Sequence, residues 1–155
     1  MSEIPEDFIR RKTLVAQNDA TMLTNINYGE FGVAITDEPK AHGGQSAGPS
    51  PLQAVIGALC GCEGVTFRRT ASEMNFQYSK LEFEAGFTID IRGRMGDRTV
   101  RPHFQSVKLS VKVTTQQTPE ELQAVIDETE ARCPVMNLLQ DANVKLDVQW
   151  QHIPE

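Results

Sequence analysis

Three cysteines occur in the 155 residues, Cys60 and Cys62 within "SPLQAVIGALCGCEGVTF" and Cys133 within "ARCPVMNLLQ". Cysteine chemistry is thiolate chemistry, because the thiolate is both the nucleophile and the metal ligand. Cys133 directly precedes Pro134, and proline is favoured at the first position of a helix, which places Cys133 at the N-cap. There the unpaired amides and the positive end of the helix dipole favour a thiolate. The alternative on local sequence is that Cys133 only caps and packs. Cys62 falls on the apolar side of a glycine-dense helix, where a free cysteine commonly serves as a small buried hydrophobe. Cys60 is two residues away and points roughly opposite, so the pair cannot easily close a disulfide within a regular helix. Zinc ligation by Cys60, Cys62, Cys133 and one of His42, His103 or His152 is conceivable, but the spacing follows no structural zinc pattern, and no metal or other cofactor is expected.

The elements that must position these thiols belong to a chain of one-domain length, expected to form a single domain over residues 1–155. The formal charge of −6 argues against nucleic acid or an anionic membrane as partner. The one dense basic cluster, Arg10 to Lys12, is too short for a binding stripe. The acidic opening "MSEIPEDFIRRK" does not read as a signal peptide, and no stretch is apolar over the roughly 18 residues of a membrane span. A cytoplasmic location is expected, where an odd number of cysteines points to thiols rather than to a disulfide framework.

"KTLVAQ", "TMLTNINYG" and "FGVAIT" read as three strands of an antiparallel meander, separated by Asn18-Asp19 and Gly29-Glu30. A Gly-, Pro- and Ser-rich loop follows from Asp37 to Ser50, and loops of that length are often functional or flexible. Ser50, Pro51 and Gln53 form a helix-start signature. Positions 52, 55, 56, 59, 62, 65 and 66 supply helically spaced apolar contacts, and "RRTASEMN" carries the helix towards solvent. Its glycines suggest close backbone packing, since each costs about 1 kcal/mol relative to alanine. "SKLEFEAGFTIDIRG" alternates over Leu81, Phe83, Ala85, Phe87, Ile89 and Ile91 as one long strand, and "QSVKLSVKVTT" alternates over Val107, Leu109, Val111 and Val113. Thr118 to Glu121 opens a second capped helix with an apolar stripe at Leu122, Val125, Ile126 and Thr129. A short helix from "CPVMNLLQ" and a final strand "NVKLDVQWQ" complete an α+β order with antiparallel sheets.

"GGQSAGPSPLQAVIGALCGC" resembles the loop-and-helix signature of the OsmC/Ohr family, with a cysteine, Cys62, eleven positions after Pro51. "RCPVMNLL" followed by "NVKLDVQ" resembles the same family's second cysteine element, with Cys133 as the matching residue, and "RPHFQSVKLSVKV" fits the strand between them. The resemblance spans about residues 12 to 150. It implies an OsmC-like fold, with antiparallel sheets around a long central helix, in an intertwined homodimer with sites at the subunit interface. It further implies a thiol peroxidase acting on organic hydroperoxides. Cys62 would become a sulfenic acid, Cys133 would condense with it to a disulfide, and a dithiol reductant, lipoyl groups in some members, would restore both. Cys60 would then be a packing residue. The peroxidase members activate the thiol with an arginine from the N-terminal strands and a glutamate after the helix-start proline. Here Leu52 stands at the glutamate position and no arginine lies between Lys12 and Lys40. Arg68, Arg69 and Arg132 are the candidate substitutes. This departure also opens a second reading, a non-peroxidatic relative that binds a small ligand or senses redox state.

Overall fold

The computed structural model describes residues 3–155, which fall into two compact units, residues 3–54 and 55–155, with the boundary inside the first long helix. In the first unit, β1 (Val15–Asn18), β2 (Thr24–Asn27) and β3 (Val33–Thr36) form the expected antiparallel meander. The registers run from Val15 opposite Asn27 and from Thr24 opposite Thr36. Asn18 holds the first turn. Its side-chain amide donates to the carbonyls of Thr21 and Leu23, both at 2.8 Å, while its Oδ1 accepts from the Ala20 amide at 3.0 Å.

The loop from Asp37 to Ser50 is a built structure rather than a slack connection. Asp37 is fully buried and its carboxylate accepts from the amides of Glu38, Gln45 and Ala47. These donors, Ala47 first, hold its carboxyl below the usual aspartate range. Gly44 is required there: a Cβ at this position would lie 1.8 Å from the Glu38 carbonyl oxygen.

Helix α1 (Pro51–Glu73) starts as the sequence signals. The Ser50 hydroxyl accepts from the Gln53 amide at 3.2 Å, and Gln53 Oε1 accepts from the Ser50 amide at 2.9 Å. The buried face within the second unit is Ile56, Leu59, Glu63, Phe67, Thr70 and Ala71. This corrects the expected stripe in two ways. Val55 and Val65 are 40% and 53% exposed, and the "RRTASEMN" end keeps Thr70 and Ala71 in the core. Nor do all the glycines pack against backbone. A Cβ on Gly64 would lie 3.7 Å from the Phe83 ring, but one on Gly57 or Gly61 would meet nothing within 4 Å.

The second sheet has the order β4 (Lys80–Ile89), β5 (Phe104–Thr115), β6 (Lys145–Pro154). Strand β4 ends two residues earlier than its alternation suggests. Asp90 caps a four-residue helix, α2 (Ile91–Arg94), by accepting from the Arg92 amide, and Ile91 is left 57% exposed. Strand β5 is the central strand, and Val107, Leu109, Val111 and Val113 are buried as their spacing predicts. It pairs antiparallel with β4 and parallel with β6. The parallel pair departs from the expected antiparallel sheets because α3 (Pro119–Arg132) and α4 (Pro134–Asp141) connect β5 to β6, and a helical crossover returns the chain in the same direction.

Helix α3 carries a complete capping box between Thr118 and Glu121 and buries Leu122, Val125, Ile126 and Thr129, the stripe read from the sequence. An aromatic group adds to this core. Phe67 stacks on Trp150 at 5.4 Å between centroids and meets Phe76 and Tyr78 edge-on. Such pairs add about 0.5–1.5 kcal/mol each beyond their buried area.

Candidate active site

Cys133 occupies the single residue between α3 and α4. Its amide donates to the Thr129 carbonyl, closing α3, and its Sγ accepts from the Met136 amide at 3.5 Å, capping α4. The Asn137 side-chain amide binds the Cys133 and Ala131 carbonyls at 2.9 and 3.2 Å, which fixes the junction. Arg132, the preceding residue, reaches Glu73 at the end of α1 at 2.6 Å and pairs with Glu128. The N-cap expected from Cys133-Pro134 is therefore present, and it is tied to α1.

This junction brings the two thiols together. The Cys133 side chain has two polar neighbours, the Glu63 carboxyl and the Cys62 thiol, both from α1. Cys62 is half-buried, whereas Cys133 and Glu63 are 0% exposed. Cys60 is also half-buried but faces elsewhere. With Gly61, Gly64, Arg68, Arg69 and Phe83 it lines an open hollow of about 500 Å³.

The state of Cys133 differs from the thiolate that its N-cap position favours. Burial, then the Glu63 carboxyl, pushes the thiol up to about 12, and the Met136 amide offsets only part of this. One aligned amide cannot compensate for loss of water beside an acidic group. Burial likewise raises the Cys60 thiol, to which the nearby Glu63 adds.

Glu63 is the residue that sequence reasoning missed. Neither carboxyl oxygen has an aligned hydrogen-bond partner, although the Cys133 thiol is set against it. Burial is the main cause that raises its carboxyl above the ordinary value, and the negative charge of Glu130 works in the same direction. A hydrogen bond from the Cys133 thiol works the other way without cancelling the burial, so the protonated form of Glu63 is favoured relative to an ordinary glutamate. Its sequence signal was the helical row 56, 59, 63, 67, 70, which places an acid among core positions.

The candidate activating arginines differ in their surroundings. Arg132 is ion-paired to Glu73 and Glu128, and Arg68 and Arg69 line the hollow beside Cys60. Leu52, at the position of the family's glutamate, is a half-buried apolar side chain. Among the described residues no cluster of three His, Cys, Asp or Glu side chains could hold a metal ion, and no helix is long and apolar enough to cross a membrane.

Similarity to known proteins extends to the whole fold. The fold is similar to that of an OsmC-like protein from Mycoplasma pneumoniae, with a TM-score of 0.80 at 19% identity over 93% of this chain and 98% of that one. It is also similar to the organic hydroperoxide resistance protein OsmC of Legionella pneumophila (TM-score 0.65, 13% identity, 92% and 98% covered). A third similar structure is the organic hydroperoxide resistance protein OhrB of Bacillus subtilis (TM-score 0.60, 18% identity, 92% and 98% covered). At these identities the likeness is one of fold. A search of curated protein sequences returns no match. The family model described as OsmC-like protein matches residues 42–149, a span that includes both Cys62 and Cys133. The chain therefore belongs to the OsmC-like protein family.

Proposed function

We propose that this protein is a thiol-dependent peroxidase that reduces organic hydroperoxides through Cys62 and Cys133. The observation that carries the reading is the contact between these two thiols, brought together from α1 and the α3–α4 junction. In the first step the Cys62 thiolate attacks the distal peroxide oxygen. The O–O bond breaks, Cys62 becomes a sulfenic acid, and the alkoxide leaves and is protonated to the alcohol. In the second step the Cys133 sulfur attacks the sulfenic sulfur, water leaves, and a Cys62–Cys133 disulfide forms. A small dithiol, a lipoyl group being one such reductant, then returns both residues to thiols by disulfide exchange and is itself oxidised to a disulfide. The half-buried Cys62 meets the peroxide, and the fully buried Cys133 is shielded from oxidation on its own account. The three free cysteines suit a reducing compartment such as the cytoplasm.

The relatives named as organic hydroperoxide resistance proteins support this substrate class. One equivalent of cumene hydroperoxide added to the reduced protein should produce a Cys62–Cys133 disulfide within seconds, seen by peptide mass mapping. Thiols that persist for minutes, or a product not involving Cys62, would overturn the reading.

The protein further acts as a homodimer in this proposal. The α1 face carrying Gly57, Gly61 and Val65 is left uncovered by its own unit and is small enough for close approach by a second copy. Light scattering at micromolar concentration should give twice the chain mass, and a monomer would exclude the dimer.

One observation favours a second reading. Leu52 replaces the activating glutamate, and the two helix arginines flank a hollow beside Cys60. This suits a non-peroxidatic relative that binds a small thiol-reactive or anionic ligand. Inert thiols in the hydroperoxide experiment would favour that alternative.

A further inference from the structure

We propose that Glu63 is the proton relay of the resolving step, a role that rests on the two-cysteine reading above. Glu63 is one residue beyond Cys62 on α1, is fully buried, and has its carboxyl against the Cys133 thiol. Both of its oxygens are without aligned partners. A core position filled by an acid with two unsatisfied oxygens is costly for folding. Leu or Met would fill it without that cost, so the carboxyl points to chemistry.

The chemistry follows from the groups present. Disulfide formation must remove the Cys133 thiol proton and supply a proton to the hydroxide leaving the Cys62 sulfenic acid. Glu63 and Cys133 are both fully buried, so a route through a free thiolate and a free hydroxide is unfavourable. A neutral carboxylic acid does both tasks at once. One oxygen accepts the proton from Cys133 as its sulfur attacks Cys62, while the hydroxyl of the other oxygen donates to the departing oxygen. The products are the Cys62–Cys133 disulfide and water. Glu63 ends as a carboxylic acid with its proton on the opposite oxygen, and net charge does not change. The other acid near this carboxyl, Glu130, is held by the Trp150 indole N–H at 2.9 Å and disfavours ionisation of Glu63.

The test is Glu63→Gln, which preserves shape and can donate an N–H but cannot pass a proton on. After one equivalent of cumene hydroperoxide, quenched samples are followed by mass for the Cys62 sulfenic acid and the disulfide. Disulfide formation should slow by about 100-fold, the usual scale of lost acid–base catalysis, so that the sulfenic acid accumulates. Disulfide formation at the wild-type rate in a folded Glu63→Gln protein would overturn the relay and leave the peroxidase reading standing. Absence of Cys62 oxidation in the wild type would remove both. A second measurement needs no variant: the resolving rate of the wild type in mixtures of H2O and D2O. Two protons in flight give a bowed dependence on deuterium fraction. A linear dependence, or none, would count decisively against the relay, as would bowing that persists unchanged in Glu63→Gln.

Discussion

Replacing Cys62 by serine is expected to lower hydroperoxide turnover by on the order of 10³-fold or more, the scale seen when a catalytic nucleophile is removed. Serine keeps the size of the side chain and its place on α1, but its hydroxyl is not ionised near neutral pH and is a poor nucleophile toward peroxide oxygen. Replacing Cys133 by serine should separate the steps instead. The first oxidation of Cys62 should survive, a sulfenic acid trappable by dimedone should form, and repeated exposure should carry Cys62 to the sulfinic level because no thiol is left to condense with it. Steady-state turnover with a dithiol, together with intact mass after each peroxide addition, distinguishes the two variants. Equal loss of the first oxidation in both would contradict the division of labour between the half-buried and the fully buried thiol. Persistence of turnover in Cys62→Ser would move the reactive sulfur elsewhere, with Cys60 the first candidate, since it lines the hollow with Arg68 and Arg69.

Replacing Glu63 by leucine is expected to stabilise the fold while disabling it chemically. The wild-type carboxyl is buried with both oxygens lacking aligned partners, and such a group costs roughly 1–3 kcal/mol. Leucine fits the apolar row formed by Leu59 and Phe67 and removes that cost. The gain should also grow with pH. The folded pKa of Glu63 is raised above its ordinary 4.5, so the folded state retains a proton that the unfolded chain releases. Its contribution to stability is fully present below the unfolded pKa and is lost as pH rises through the folded value. The three groups coupled to it are Cys133, Glu130 and Cys60, and the Glu63→Leu substitution leaves all three in place. Urea unfolding at pH 5 and pH 7 should therefore show a larger advantage for the variant at pH 7. In the wild type Cys133 produces a second decline, as pH rises from its ordinary 9.0 towards about 12, and the variant loses the part of that shift that Glu63 supplies. A Glu63→Leu protein less stable than wild type at both pH values would mean that the carboxyl is satisfied by a partner after all.

These two positions mark the boundary between what was legible along the chain and what was not. The capping boxes at Ser50 and Thr118, the alternation of β5 and the apolar stripe of α3 all rest on residues within a few positions of one another. Such features depend on local hydrogen bonding and on periodicities of 2 and 3.6, so the amino-acid sequence alone determines them. The N-cap geometry of Cys133 belongs with them, because proline at the next position largely decides it.

Packing between distant segments decided the rest. The direction of β6 follows from the helical crossover formed by α3 and α4. The end of β4 at Ile89 is the local exception, set where Asp90 caps the turn by accepting from the Arg92 amide. The phase of the buried face of α1, which includes Glu63 and leaves Val55 and Val65 outward, depends on what lies opposite the helix. So does the ionisation of Cys133, where burial overcomes the helix terminus. Local sequence set out the two cysteine elements, but it is the packing of the α3–α4 junction against α1 that joins their thiols around one buried acid.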